Sequence, residues 1–192
     1  LLGICLILIV AIILLILHIG RIRKEHSADK LTDSETGMGN LQFFKYHFRY
    51  TISDISRSLY HIAYIILDSS YLRSYHGDSS FDEVLKYTAS VLAEYTGDRE
   101  ISARITENGF ALAYQSTNDE DAKKRLTEVM NKLNSFEAVK EKNNKLVFHS
   151  AVFHLGSSDR NCEILLFNLR KNCNRIFGTE KQIVFCDIHS MN

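Results

Sequence analysis

Residues 100–115 read EISARITENGFALAYQ, and no other stretch constrains the fold as much. Ile101, Ala103 and Ile105 alternate with polar residues before Asn108-Gly109, and Phe110, Leu112 and Tyr114 alternate after it. Two-residue alternation on both sides of Asn-Gly predicts a β-hairpin of half-buried strands. Thr106 to Phe110 is then a tight turn with Asn108 and Gly109 at its tip, and Arg104 and Phe110 lie on the paired strands.

The rest of the chain supplies elements to cover that hairpin. Leu41, Phe44, Phe48, Ile52, Ile55 and Leu59 form one apolar helix face behind Asn40, a good N-cap. His61 to Asp68 is too apolar for a surface strand and reads as a buried central one. Ser80 opens the next helix, with Glu83 completing a capping box and Phe81, Val84, Leu85, Thr88, Val91, Leu92 and Tyr95 inward. Asn118 caps a packing helix with Asp119, Glu120 and Asp121 in its first turn and Ala122, Leu126, Val129, Met130 and Leu133 inward. A charged loop, residues 140–145, leads to a strand over Leu146–Leu155. His149 and His154 fall on opposite faces of that strand and read as ordinary histidines rather than a metal pair. Asp159 to Ile176 is a helix, and Ile183 to Ile188 a closing strand.

Leu1 to Leu17 is unbroken apolar sequence, and residues 1–20 in a helix reach about 30 Å, the thickness of a bilayer core. This predicts a transmembrane helix, with a cleaved signal peptide as the alternative. Arg21, Arg23 and Lys24 follow at once, which places a juxtamembrane linker, 21–32, and the folded part, 33–192, on the cytoplasmic side of a single-pass protein. With 23 basic and 23 acidic residues, no field drives binding to nucleic acid. Four cysteines without Cys-x-x-Cys spacing suggest neither a disulfide framework nor a zinc site.

Arg104-Ile-Thr106-Glu107-Asn108-Gly109-Phe110 resembles the Arg-x-Gly-Gly-Asp/Glu-Glu-Phe hairpin of the GGDEF, or diguanylate cyclase, family. Further matches run in order along the chain. Asp33-x-x-Thr36-Gly37-x-x-Asn40-x-x-x-Phe44 is similar to the family's opening Asp-x-Leu-Thr-Gly-Leu-x-Asn-Arg-x-x-Phe, and Asp82-Glu-Val-Leu85 is similar to its Gly-Asp-x-Val-Leu. The resemblance covers Asp33 to Asp187. It implies an α/β (α+β) fold like the nucleotidyl cyclase palm, with a central, mainly antiparallel sheet flanked by helices.

What the family uses for chemistry is altered here. Its Gly-Gly pair becomes Thr106-Glu107, its motif acids become Asn108 and Gly109, and the second of its strand-end aspartates becomes Ser70. By the resemblance, Asp68 is the remaining Mg²⁺ ligand, with Mg²⁺ needed only where GTP is bound. Candidate nucleotide contacts are Asn40, Arg73, His76 (in place of the guanine-reading Asn), Asp82 and Arg175, and Arg73 with Arg175 could hold a phosphate. No catalytic residue is assigned. With the predicted span, the resemblance implies a degenerate, membrane-anchored regulatory domain of cyclic di-GMP signalling. Its implied partners are the membrane, GTP, a second copy of the chain, and an attached EAL phosphodiesterase domain or another cyclic di-GMP signalling protein. The alternatives are a working cyclase with rearranged acids and a scaffold that dimerises or anchors without any ligand.

Overall fold

A computed structural model describes Ile13 and residues 30–136, 146–159 and 161–187; of residues 69–78 it describes the backbone alone. The predicted span, 1–20, and linker, 21–32, lie outside the described residues apart from Ile13 and 30–32. Among the described residues no helix is long and apolar enough to cross a membrane.

Five strands form one sheet in the order β2-β3-β1-β4-β5. They are β1 (Tyr60–Leu67), β2 (Ile101–Thr106), β3 (Gly109–Gln115), β4 (Phe148–His154) and β5 (Ile183–Cys186). All neighbours pair antiparallel except β4 and β5, which are parallel. The mainly antiparallel α+β architecture expected from the sequence is the one observed. Central β1 is buried along its whole length, which is why its sequence shows an apolar run and no alternation.

Helices cover both faces. Ala63, Ile65 and Leu67 of β1 pack with α2 (Ser69–Glu94) and α3 (Asp119–Asn134), whereas Tyr60, Ile62, Tyr64 and Ile66 pack with α1 (Leu41–Thr51) and α4 (Cys162–Ile176). The strand's two-residue period divides one apolar run between two cores.

Three expectations are corrected. First, α1 stops at Thr51 and does not carry its apolar face to Leu59; Ile55 is 95% exposed. Local hydrogen bonds compete with the helix there: Ser53 and Ser56 join their hydroxyls, and buried Arg57 donates to the Ile52 carbonyl. A short 3₁₀ turn, Arg57–Leu59, then leads into β1. Second, Ser80 caps nothing, because α2 runs unbroken from Ser69 to Glu94. Buried Phe81, Val84 and Leu85 extend its core face, and no proline interrupts it. Third, the hairpin tip is Glu107-Asn108; Gly109 already belongs to β3, opposite Thr106 and Ile66. Ile105 is an extra residue between the pairs Arg104↔Phe110 and Thr106↔Gly109, a bulge that shifts the turn by one position.

Two element boundaries also differ from those the sequence predicts. Asn161, not Asp159, heads α4, its side chain accepting from the backbone N–H groups of Glu163 and Ile164. The closing strand ends at Cys186, and the charged loop at 140–145 lies outside the described residues.

Candidate functional site

The site grows from the place where the hairpin meets the end of β1. Leu67 N–H donates to the Asn108 carbonyl at 2.9 Å, and the Asn108 side-chain amide donates back to the Leu67 carbonyl at 2.8 Å. This reciprocal pair fixes the tip beside Asp68, whose own N–H donates to the Val147 carbonyl. A carboxylate at position 108 has no proton for the Leu67 carbonyl, so the amide suits this contact where an ionised acid does not.

Gly109 is the next residue, and its surroundings decide what the site can hold. Its φ is not positive, so the turn does not require glycine here. Space does. A Cβ at this position would lie 2.1 Å from the Tyr64 hydroxyl, 2.7 Å from Tyr64 Cζ and 2.4 Å from Thr106 Oγ1. Tyr64 lies on β1 diagonally across from Gly109, on the same face, and its hydroxyl is 2.9 Å from Thr106 Oγ1. Burial raises the phenol's pKa above its ordinary value, with the Thr106 bond opposing, so the group stays protonated and neutral. A neutral phenol fills the room into which a side chain from position 109 would extend.

A second cluster lies against the other side of the hairpin. Arg104, 7% exposed, reaches Asp33 at 3.0 Å and Glu35 at 2.5 Å, and its guanidinium also donates to the Glu107 carbonyl. Asp33 in turn accepts from the Thr36 N–H at 2.9 Å and the Thr36 hydroxyl at 2.6 Å. Burial pushes the Asp33 carboxyl up, but Thr36 and Arg104 outweigh it and hold the group below its ordinary range. Gly37 takes φ +74°, the left-handed conformation glycine adopts without strain, and closes the turn on the Asp33 carbonyl. Asn40 then caps α1 through Oδ1, and its Nδ2 donates to the Lys30 and Thr32 carbonyls. The Arg104 N–H donates to the Gly39 carbonyl, which ties this loop to the edge strand.

Asn40, Arg104, Thr106 and Glu107 line one open depression of about 510 Å³ together with Asp33 and Glu35. The remaining predicted contacts are dispersed. Asp82 is exposed in the middle of α2. Arg175 is exposed near the end of α4 and donates to the Asn172 side chain at 3.2 Å. Arg73 and His76 sit on the α2 backbone, but their side chains lie outside the described residues. Phe110 is buried in the core beneath α2 and α3.

A Mg²⁺ ion held beside nucleotide phosphates needs several oxygen ligands, usually with more than one carboxylate. Around the tip, Asp68 remains, Ser70 replaces an acid, and Tyr64 closes the space at Gly109. Positions 68, 70 and 109 together supply one carboxylate, so these three positions do not fit a two-carboxylate metal site. Sequence reasoning missed Tyr64, because only the strand register brings it to Gly109.

The comparisons agree with this architecture. The model of the family described as "Diguanylate cyclase, GGDEF domain" matches residues 30–175, so the chain belongs to the GGDEF family. A comparison with curated protein sequences returned no match. Among solved structures, the GGDEF domain of DgcB from Caulobacter crescentus, in complex with c-di-GMP, superposes with a TM-score of 0.68 at 14% identity, over 81% of this chain and 95% of that one. The FimX GGDEF domain from Pseudomonas aeruginosa gives 0.60 at 20% identity, over 81% and 99%. LapD S helix-GGDEF-EAL from Vibrio cholerae, bound to c-di-GMP, gives 0.66 at 15% identity, over 87% of this chain and 39% of that one. At these identities the likeness is one of fold.

Proposed function

We propose that this chain is a non-catalytic GGDEF module of cyclic di-GMP signalling, anchored by residues 1–20 in the cytoplasmic membrane with its folded part in the cytoplasm. The observation that carries the non-catalytic reading is the Tyr64 hydroxyl 2.1 Å from where a Gly109 Cβ would lie. Phosphoryl transfer needs charge placed where charge develops, and losing one such group typically costs about 10²–10³ in rate. In this chain the motif acid is absent and the protein has packed over its place.

The domain's work is then regulatory. It passes a signal between the membrane segment and a partner of the same pathway, such as an attached EAL domain, a combination found in LapD, or a second copy of the chain. GTP is its candidate ligand, bound without turnover.

The test is to incubate the full chain in nanodiscs with GTP and Mg²⁺ or Mn²⁺ at dimer-forming concentrations and assay for cyclic di-GMP. No product is expected. Synthesis that disappears on Glu107→Ala overturns the proposal and assigns Glu107 as a relocated acid. Calorimetry on the same sample separates a nucleotide-binding module, which releases or absorbs heat with GTP, from a scaffold, which does not. A reporter fused after Asn192 should read out in the cytoplasm, and an extracytoplasmic signal would overturn the orientation.

A further inference from the structure

At the far end of β1 from Asp68, about 20 Å along the strand, three side chains converge that the nucleotide reading leaves unused. His61 and His154 are directly paired across β1 and β4, so their rings project from the same face and stack with centroids 4.3 Å apart. The first residue of α3, Asp119, lies over them. Its Oδ1 is 2.8 Å from His61 Nε2 and 3.6 Å from His154 Nδ1, and the three potential ligand atoms lie within 4.8 Å of one another.

We propose that His61, Asp119 and His154 bind a divalent transition-metal ion of the Zn²⁺ class. Imidazole nitrogen with one carboxylate suits Zn²⁺ and its neighbours rather than Mg²⁺ or Ca²⁺, which prefer oxygen. Ligand atoms about 2.0–2.1 Å from a tetrahedral Zn²⁺ are about 3.4 Å from one another, a spacing the two observed contacts bracket. Loading requires the His154 ring, 46% exposed, to tilt out of its stack; His61 is fully buried and fixed.

The outer contacts point the same way. A metal-bound histidine normally donates its other N–H to an oxygen that fixes its orientation. The second nitrogen of His154, Nε2, lies 2.8 Å from the Ser58 carbonyl, which can only accept, so the proton belongs on Nε2 and Nδ1 keeps its lone pair toward Asp119. His61 Nδ1 is 2.6 Å from the Ser116 hydroxyl. That hydroxyl can donate or accept, so the ring can carry its proton on Nδ1 and free Nε2 for the metal. Asp119 is 66% exposed, which leaves the outer coordination positions open to water. A bound ion would join β1, β4 and the start of α3 at one point.

The experiment uses the full chain, stripped with chelator, and Zn²⁺ or Co²⁺ alone as probe. About one equivalent should survive dialysis, the thermal midpoint should rise with Zn²⁺ but not Mg²⁺, and Co²⁺ should give the visible absorption of a low-coordinate nitrogen and oxygen site. His154→Ala and Asp119→Asn, both at exposed positions that should tolerate change, should each weaken Zn²⁺ binding at least about tenfold, while His47→Ala leaves it unchanged. Ser116→Ala should weaken it about tenfold by loosening the His61 ring. Failure of the unaltered chain to retain Zn²⁺, or binding that persists undiminished in His154→Ala and Asp119→Asn, overturns the site.

Discussion

The loop over Asp33–Asn40 and the end of the hairpin over Thr106–Gly109 meet at one depression, lined by Asp33 and Asn40 from the loop and by Thr106 and Glu107 from the hairpin, yet they differ in how closely they match the family pattern. In the loop, Asp33, Thr36, Gly37 and Asn40 match the motif and all serve the fold. Asp33 receives Thr36 and Arg104, Gly37 makes the left-handed turn, and Asn40 caps α1. At the tip, residues 106–109 read Thr-Glu-Asn-Gly, and the side chains of Tyr64, Thr106 and Asn108 hold the end of the hairpin against β1. The residues kept are those the fold needs.

Substitutions sharpen this contrast. Arg104→Ala should have the largest effect, because it strands the partly buried Asp33 carboxylate and frees the Glu107 carbonyl. Removing one partner of a buried ion pair costs about 3–5 kcal/mol, and the partial exposure of Asp33 brings the expected loss to about 2–3 kcal/mol. Urea unfolding measures it. A loss no greater than that of an exposed arginine such as Arg175→Ala would break the claim that the loop is held for structural reasons.

Gly109→Ala should come next, at about 1–3 kcal/mol, the usual cost of overpacking a filled core. The nearest obstacle is the Tyr64 hydroxyl, so Tyr64→Phe should recover part of the loss, and the two changes should not be additive. Strict additivity would show that Tyr64 is not the plug. Gly109→Glu should add no cyclase activity, since Tyr64 leaves no room for the carboxylate.

Asn108→Asp replaces a donor to the Leu67 carbonyl with a carboxylate oxygen, and about 1–2 kcal/mol should be lost. The change also restores the family's acid at that position, so a stabilising outcome would mean that the amide is not there to hold the tip. Hydrogen exchange at the Leu67 amide, which donates to the Asn108 carbonyl, should accelerate in parallel.

The fold was largely legible in the sequence where burial imposes a period. In α3, Ala122, Leu126, Val129, Met130 and Leu133 are all inward as their spacing indicates, because one helix face meets one core. Ser80 misled because Gly77-Asp-Ser-Ser80 has the polarity of a helix start, and only the packing of Phe81, Val84 and Leu85 shows that the helix is already under way. At the site, the departures from the family motif at positions 106–109 were legible by resemblance. The packing around them was not, since Tyr64 meets Gly109 through a register no local pattern encodes. For the same reason the sequence separated His154 from His149 correctly but gave no sign that His154 pairs with His61.

The base of the hairpin offers the last and smallest test, and it resembles the loop rather than the tip. Glu100, just before β2, is nearly buried; it accepts from Arg125 at 2.5 Å and from the Gly97 and Gln115 N–H groups at 2.8 and 2.9 Å. Burial would raise its carboxyl pKa, but Arg125 and the two backbone donors outweigh burial and leave it below the ordinary 4.5. A carboxyl lowered in the folded state contributes fully above its unfolded value and loses that contribution as pH falls through the folded value. Stability should therefore be flat in this respect above about pH 5 and decline below about pH 4.5, the protons entering at Glu100 and at Asp33, which is lowered in the same sense. Arg125 keeps 29% of its side chain in solvent, so screening keeps the Glu100 share small. Glu100→Gln should flatten that acid limb in urea midpoints measured across pH 3–6. An unchanged limb would mean that the hairpin is anchored by its apolar strands alone, and that only the Asp33 loop is held by charge.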